Sequence, residues 1–295
     1  MVQRAYEPMN SGITLENGRY GRRAILNSAW LDYFVQYLAD NAVVELELNY
    51  AKGWHGQSLS FLAELPSLKA FEIFDFNIPD IKEIHRLHNL RRLGVTTYCS
   101  TEIDFSAFPE LESCVLEWRP KAVSLFKCTT LKDLFVDRYK GKDVARFAQL
   151  VNLESLAILN APVASLRGLS ALTRLRSLRL ALLRRLPSLA GIEGLANLEE
   201  LDINTCRAIR SIDEIGSLSR LKKLFLNNIG EIESLKPLDN LDGLEKVVFY
   251  ESTNILDGDL SPLLRQQNLD FSRVSFQNRR HYSHRRENLW RRSSM

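Results

Sequence analysis

The nine-residue stretch Leu198-Glu-Glu-Leu201-Asp-Ile203-Asn-Thr-Cys206 determines how this chain folds. Its first, fourth and sixth residues are apolar. The fourth and sixth, Leu201 and Ile203, are two residues apart, so they point to the same side of an extended strand. A strand with one apolar face cannot bury that face alone. The stretch therefore predicts a strand that neighbouring strands of the same kind must cover.

The same pattern recurs along most of the chain. Eleven copies, 20 to 27 residues apart, begin at Val43, Leu68, Leu90, Leu111, Leu131, Leu153, Leu175, Leu198, Leu221, Leu244 and Phe271. Positions one, four and six are apolar in every copy, although only 45% of the chain is apolar. Stacked in parallel, such strands would form one continuous core. The repeat predicts about eleven short parallel strands.

The segments between the strands carry apolar residues at a spacing of three. Two runs show it: Leu186, Leu189, Ile192, Leu195 and Leu198, followed by Ile209, Ile212, Ile215, Leu218 and Leu221. This spacing fits 3₁₀ turns or short helices better than a long α-helix. We therefore expect each strand to be followed by a compact return segment.

With this strand pattern and this return, the chain resembles a leucine-rich repeat protein of the 22-residue class, as found in bacterial internalins and in the regulatory subunits of protein phosphatase one. The resemblance covers residues 43–278. It implies an α/β solenoid, a horseshoe whose parallel sheet of about 11 strands lines the concave face, with 3₁₀, short-helix or loop returns on the convex face. It also implies a protein-binding role.

One column departs from that family. Position nine of each copy carries Asn or Cys in the family, and its side chain bonds the turning backbone, whereas here only Cys206 fits. The backbone groups of the other turns need different partners. We therefore expect a less regular solenoid, with an irregularity near Ile229-Gly230.

The ends of the repeat array need caps, because an exposed core edge would aggregate. Residues 1–42 are predicted to form the N-terminal cap. It would consist of a hairpin over 13–20 with an Asn17-Gly18 turn and an amphipathic helix. The helix is indicated by Trp30, Phe34 and Leu38, with Asn27 or Ser28 capping its start and Asn41 ending it. The repeats occupy 43–278, and residues 279–295 form a basic C-terminal tail or an extension of the cap.

Composition and the lack of targeting signals limit the partners and cellular compartments that we expect for this protein. The net charge is +3, which is too small to indicate nucleic-acid binding by itself. No apolar run is long enough for a membrane span, and the first residues lack the apolar core of a signal peptide. None of the four cysteines forms a CxxC pair. We therefore expect a cytoplasmic protein, and the resemblance to internalin-type repeats implies a bacterial one.

The family resemblance places positions three, five, seven and eight of each copy on the concave face. In the first five copies these positions hold seven acidic and two basic residues, interleaved with aromatic residues. Aromatic side chains supply binding area, and acids discriminate between partners. We therefore predict a basic protein partner, with an inhibitor or immunity-type role as one specific form and a phosphatase-type regulatory subunit as another. The candidate contact residues are Glu47, Glu72, Phe74, Glu117, Trp118, Phe135, Asp137, Phe225 and Tyr250.

The C-terminal segment offers an alternative. Residues 279–292 contain six arginines and one glutamate, a charge of +5, so the rest of the chain carries +3 minus +5, or −2. The arginines could contact nucleic-acid phosphates, dock on the acidic concave face, or belong to a solvated terminus. The nucleic-acid candidates are Arg279, Arg280, Arg285, Arg286, Arg291 and Arg292.

Nothing in the sequence indicates catalysis. Nucleotide-binding, nucleophile-elbow and zinc-protease motifs are absent. The pairs His85/His88 and His281/His284 supply only two ligands each, too few for a metal site. The sequence Asp257-Gly258-Asp259 lacks the remaining ligands of a calcium loop and is expected to form a turn. We therefore predict that the protein is not an enzyme and has no cofactor or metal.

Overall fold

The computed structural model describes residues 12–119 and 121–290. It contains two compact units, Met1–Leu125 and Phe126–Met295. Each unit repeats one arrangement, a short strand followed by a return segment that leads to the next strand. The apolar columns of the sequence pattern force this arrangement, because each strand buries its apolar face only beside its neighbours.

In the first unit the strands lie side by side in chain order. The first two are antiparallel, and every later pair is parallel. The strands are β1 (Ile13–Asn17), β2 (Arg22–Leu26), β3 (Val43–Asn49), β4 (Ala70–Phe74), β5 (Arg92–Thr96) and β6 (Ser113–Glu117). The helices are α1 (Phe34–Asp40) and the 3₁₀ helices Tyr50–Lys52, Ser60–Glu64, Lys82–Arg86 and Phe105–Ala107. A further 3₁₀ helix, Val123–Lys127, contains the unit boundary.

The second unit continues the pattern with a parallel sheet and a small two-stranded ladder, β12 with β14. Its strands are β7 (Asp133–Asp137), β8 (Ser155–Leu159), β9 (Ser177–Ala181), β10 (Glu200–Asn204), β11 (Lys223–Asn227), β12 (Glu231–Ile232), β13 (Lys246–Phe249), β14 (Asn254–Ile255) and β15 (Val274–Phe276). Its helices are α2 (Ser261–Leu264), α3 (Arg286–Trp290) and the 3₁₀ helices Ala145–Gln149, Leu169–Ala171, Asp213–Ser217, Lys236–Asn240 and Phe271–Arg273. All eleven predicted strands are present, and the predicted 3₁₀ returns are confirmed.

The core follows the predicted columns. Every residue at positions four and six of the copies is at most 2% exposed. The two threefold-spaced return runs are equally buried, at 1% or less. Each such aliphatic side chain contributes roughly 1.5–3 kcal/mol on removal from water. Burial of these columns therefore holds each repeat to the next.

The N-terminal hairpin and helix are present, but with different bounds from those predicted. The hairpin loop spans the four residues 18–21 and is closed by Gly18 N–H donating to Gly21 O at 2.8 Å, instead of a two-residue Asn-Gly turn. The helix begins at Phe34, and neither Asn27 nor Ser28 caps it. Trp30 precedes the helix, and its ring stacks on Phe61 at 3.8 Å.

In the turns after the strands, backbone hydrogen bonds form although position nine lacks the family's asparagine. In copies five to ten, the residue at position eight is left-handed: Arg138, Asn160, Leu182, Thr205, Asn228 and Glu251 have φ between 51° and 61°. In the first five of these copies, its backbone N–H donates to the carbonyl at position seven of the next copy, at 2.9–3.1 Å. We call these residues the left-handed column. A backbone ladder therefore supplies much of what side-chain amides supply elsewhere.

Side chains satisfy other turns individually. The Cys206 thiol donates to the carbonyls of Leu180 and Asn204. Thr253 accepts from Ile229 N–H and donates to Leu226 O, at 3.2 and 2.6 Å. This last pair lies at the irregularity expected near Ile229-Gly230, where the short ladder of β12 and β14 is also found.

Candidate functional site

Four aromatic side chains of the first unit form one contiguous surface, which we call the aromatic cluster: Tyr50, Phe74, Phe76 and Tyr98. Phe74 lies 5.1 Å from Tyr50 and 5.0 Å from Phe76, measured between ring centroids. Phe76 stacks on Tyr98 at 4.4 Å. Tyr50 is 47% exposed and Tyr98 63% exposed. Exposed tyrosine rings supported by half-buried phenylalanines are the kind of surface that binds proteins.

The repeat register brings these rings together. Phe74 occupies position seven of the second copy, and Tyr50 position eight of the first. Phe76 and Tyr98 occupy position nine of the second and third copies. Because β3, β4 and β5 are parallel neighbours, the ends of these strands lie side by side. Sequence reasoning proposed Phe74 but missed Phe76 and Tyr98. Their departure from the family's Asn at position nine was the available signal.

Beside the cluster lies the open sheet face of the first unit, formed by the side chains at positions three, five and seven. Two candidate acids on it are engaged in ion pairs. Glu47 is buried and lies 2.5 Å from Arg23 Nη2 and 2.8 Å from Lys52 Nζ. Glu72 lies 2.6 Å from Arg92 Nε. The cations offset part of the negative charge that the sequence places here.

The protonation of Glu47 follows from these contacts. Burial raises the pKa of its carboxyl group, but hydrogen bonds from Lys52 and Asn49 and the charge of Arg23 outweigh burial and hold the pKa below its ordinary value. Asp75, at position eight of the second copy, is buried as well. It accepts a hydrogen bond from Trp54 Nε1 at 3.0 Å. The carboxylates of Glu47 and Asp75 are therefore buried and held by contacts within the first unit.

The other candidates in the first unit are Glu117 and Trp118, at the end of β6, and both are half-buried and partnered. Phe135 and Asp137 belong to β7 of the second unit and are also half-buried. Asp137 lies 3.6 Å from Arg138 Nε.

Two further candidates in the second unit are covered by neighbouring side chains. The ammonium group of Lys246 lies over the ring of Phe225, 5.1 Å from its centroid. The hydroxyl of Tyr250 hydrogen-bonds Ser275 and accepts from Arg286 Nη1 at 3.0 Å. All five aromatic candidates from the sequence are half-buried, whereas Tyr50 and Tyr98 of the aromatic cluster are exposed.

The C-terminal segment packs on the second unit. Tyr282 is 6% exposed and stands near Phe276, and Leu289 is 1% exposed. Tyr282 Oη accepts from Ile255 N–H at 3.1 Å, and Ser283 N–H donates to Gly258 O at 2.8 Å. The described part of this segment therefore covers the end of the sheet.

This packing gives some of the candidate nucleic-acid-binding arginines protein partners and leaves others exposed. Arg279 donates to the carbonyls of Glu251 and Thr253, and Arg286 is held by Tyr250. Arg280 and Arg285 are exposed. Arg291 and Arg292 lie outside the described residues.

Two solved structures of Listeria monocytogenes proteins share this architecture. An internalin, InlF, is 22% identical, with a TM-score of 0.56 over 87% of this chain and 87% of that chain. The functional domain of InlJ is 15% identical, with a TM-score of 0.58 over 82% of this chain and 62% of that one. In its fold, the chain is an internalin-like leucine-rich repeat protein. No protein-family model matches the sequence, and no curated protein matches it.

The InlJ domain includes a cysteine ladder, and this leucine-rich repeat protein differs from it at position nine. Here position nine carries a single cysteine, Cys206, and its burial raises the pKa of the thiol to about 11. A neutral, buried thiol bonds the turn as a weak donor and is a poor nucleophile. In this protein the backbone bonds of the left-handed column join successive turns.

The histidine pairs have structural partners. His85 Nδ1 lies 2.8 Å from Lys82 O, and its Nε2 accepts from Asp104 N–H at 2.9 Å. His281 Nε2 lies 2.9 Å from Ile255 O. Within residues 12–119 and 121–290, no group of three or more His, Cys, Asp or Glu residues is placed to hold a metal ion. Asp257 and Asp259 each accept a backbone N–H two residues ahead, as expected for a turn.

None of the helices in the described part of the leucine-rich repeat protein has the length and apolarity needed to cross a membrane.

Proposed function

We propose that this leucine-rich repeat protein is a non-enzymatic binding module that grips another protein on the open sheet face of its first unit, with the aromatic cluster as the anchor. The observation that supports this is the run of Tyr50, Phe74, Phe76 and Tyr98, whose rings contact one another while the outer two remain about half exposed. A contiguous exposed aromatic surface on a soluble fold invites a partner. Trp118, near the end of β6, is the next anchor.

The partner is proposed to be basic. On and beside this face the acids Glu16, Glu45, Glu47, Glu72, Asp75 and Glu117 outnumber the bases Arg23, Lys52, Arg92 and Arg119. Ion pairs hold Glu16, Glu47 and Glu72 in place, and the excess of negative charge would steer and select a cationic surface. An inhibitor or immunity-type clamp on a basic protein is the specific form that this charge favours. Phe135, Asp137, Phe225 and Tyr250 would be secondary contacts in the second unit.

The test begins with affinity capture from a lysate of the producing cells, followed by measurement of the dissociation constant of the captured protein. The variant Tyr50→Ala/Tyr98→Ala removes the two exposed rings with little loss of core. Tyr33→Ala is the matched control, because Tyr33 is also 50% exposed but lies outside the cluster. We expect the double variant to weaken binding by roughly 1,000-fold, since such anchors contribute about 2 kcal/mol each, or about 4 kcal/mol together.

Binding unchanged in Tyr50→Ala/Tyr98→Ala and in Trp118→Ala would refute the aromatic anchor. Glu117→Lys tests the basic partner separately. It should slow association most at low ionic strength, because surface charges are screened by salt. Association that is equally fast in Glu117→Lys would remove the claim of charge selection and leave the aromatic claim standing.

Nucleic-acid binding is the second candidate, and the exposure of Arg280 and Arg285 favours it. It predicts affinity that falls steeply with salt. The double variant Arg280→Gln/Arg285→Gln should then lose most binding to a labelled oligonucleotide. Binding that survives both the variant and high salt would exclude this candidate.

A further inference from the structure

A cleft in the second unit contains none of the residues proposed above to contact a protein or a nucleic acid. Its volume is about 550 Å³, and it is lined by Arg184, Thr205, Arg207 and Ala208. We call it the arginine cleft. Its volume is within the range of clefts that hold small molecules, roughly 300–1,000 Å³.

The repeat register places the two arginines side by side. Strands β9 and β10 pair with Ala181 opposite Asn204, so Arg184 and Arg207, three residues further along each chain segment, are neighbours. Between strand and arginine, each segment turns through a left-handed residue, Leu182 or Thr205. Neighbouring copies in a parallel sheet are about 4.8 Å apart. The backbones of Arg184 and Arg207 are therefore neighbours at the edge of the sheet, and both side chains line the cleft.

The positive charge in the cleft has no carboxylate to offset it. Among the described residues, no acid lies within ion-pair distance of Arg184, Arg185 or Arg207, whereas Arg210 nearby is paired with Glu231 at 3.0 Å. Like charges in adjacent copies repel one another. A bound anion would offset this positive charge.

One of the arginines is positioned in advance. Arg207 donates through Nε and Nη2 to Asn228 Oδ1, at 3.3 and 2.7 Å. Asn228 Oδ1 also accepts from Ser252, at 2.7 Å, and its Nδ2 donates to Thr205 at 3.2 Å. These neutral partners orient the guanidinium without neutralising it. A guanidinium held in this way loses little entropy when it binds an anion.

We infer that the arginine cleft binds the phosphate group of a small phosphorylated molecule. Paired guanidinium groups match the geometry and charge of phosphate, which they bind by bidentate hydrogen bonds. The Thr205 hydroxyl donates to Asn204 Oδ1 and accepts from Asn228 Nδ2, so it fixes one wall of the cleft and leaves the anion to the arginines. The lining holds no aromatic ring on which a base could stack, so the ligand class is a non-aromatic phosphate ester, with the rest of the molecule filling the space beside Ala208.

The test measures binding of inorganic phosphate and of glycerol 3-phosphate to the full chain by isothermal titration calorimetry at constant ionic strength. Arg184→Gln removes a guanidinium that makes no hydrogen bond or ion pair within the described residues, so the fold should be unaffected, as circular dichroism can verify. Arg185→Gln is the matched control, because it removes the same charge from the next residue, which is exposed but does not line the cleft.

We expect wild-type protein to bind both probes, with the ester the tighter. Arg184→Gln should weaken binding about tenfold, Arg207→Gln similarly, and Arg185→Gln by less than about twofold. No heat of binding at about 10 mM phosphate would overturn the inference, because a paired-arginine site should be occupied there. Equal weakening by Arg185→Gln would overturn it too, since it would show a diffuse basic surface. An ester that binds more weakly than inorganic phosphate would exclude a phosphorylated molecule as the ligand.

Discussion

At the scale of single residues, the left-handed column stands out because its members are not glycine. Left-handed backbone is unfavourable for residues with a Cβ, except that asparagine tolerates it well. The column already contains Asn160 and Asn228, but it also holds Leu182, Thr205 and Glu251. The buried columns on either side hold these residues in the strained conformation, and ladder hydrogen bonds add to this at every member except Glu251.

Substitutions at Glu251, a member of the left-handed column, test whether its left-handed backbone is strained. Glu251 has φ of 61° and an exposed side chain, so Glu251→Asn relieves strain without removing buried surface. We expect the free energy of unfolding, measured by urea titration, to rise by about 0.5–1 kcal/mol. Glu251→Val, with a branched Cβ, should lower it. Equal stability of the two variants would show that the turn carries no strain.

The cysteines differ in their chemistry. Burial raises the pKa of the Cys99 thiol, but hydrogen bonds from Thr97, Thr101 and Arg119 outweigh burial and hold that pKa below its ordinary value. A lower pKa leaves more thiolate at neutral pH, and thiolate is the reactive form. We expect iodoacetamide to alkylate Cys99 with a pH midpoint below the 9.0 of an ordinary cysteine. The same residue in the urea-unfolded chain should revert to the ordinary midpoint, and Cys206 in the folded chain should react last. A folded-state midpoint at or above the unfolded one would contradict this.

At the scale of elements, the C-terminal segment acts as a cap in the described structure. Tyr282 lies over the end of the sheet beside Phe249 and Phe276. Its hydroxyl is the partner of a buried backbone N–H, that of Ile255. Truncation after Asn278 would therefore uncover the last strand, and point variants are the cleaner way to test what the arginines bind.

Tyr282→Phe tests the cap directly. It removes the hydroxyl but keeps the ring, and leaves the Ile255 N–H without its partner. We expect a loss of about 1–3 kcal/mol in the free energy of unfolding, the cost of an unsatisfied buried donor. Tyr33→Phe is the control, because Tyr33 is 50% exposed and should be neutral. A neutral Tyr282→Phe would show that the segment covers the sheet without stabilising it.

At the scale of the whole molecule, the two units present surfaces of different chemistry. The first unit carries the aromatic cluster and an excess of acids. The second carries the arginine cleft, whose charge is not offset. The chain's net charge of +3 does not reveal this difference in charge between the two units. A protein partner and a phosphorylated ligand would therefore be recognised by different parts of one chain.

These two surfaces share no residue, so their variants should act independently. We expect Tyr50→Ala/Tyr98→Ala to weaken binding of the protein partner and leave phosphate binding unchanged. Arg184→Gln should do the reverse. Isothermal titration calorimetry of both variants and their combination with each ligand checks this. A loss of partner binding in Arg184→Gln would mean that the cleft is part of the protein interface.

Sequence alone determined the repeat, the eleven strands, the returns and the core columns. These follow from a local pattern: Leu201 and Ile203 share a face because they are two residues apart, and stacked copies repeat that arrangement. Only the tertiary structure decided which surface groups stand together. The aromatic cluster joins rings from three copies, Glu47 is offset by Arg23 and Lys52, and Tyr282 closes the sheet. Those contacts depend on side-chain directions and on neighbours many residues apart. No local periodicity encodes them, because solvent-facing positions tolerate many residues and only packing in space selects which of them meet.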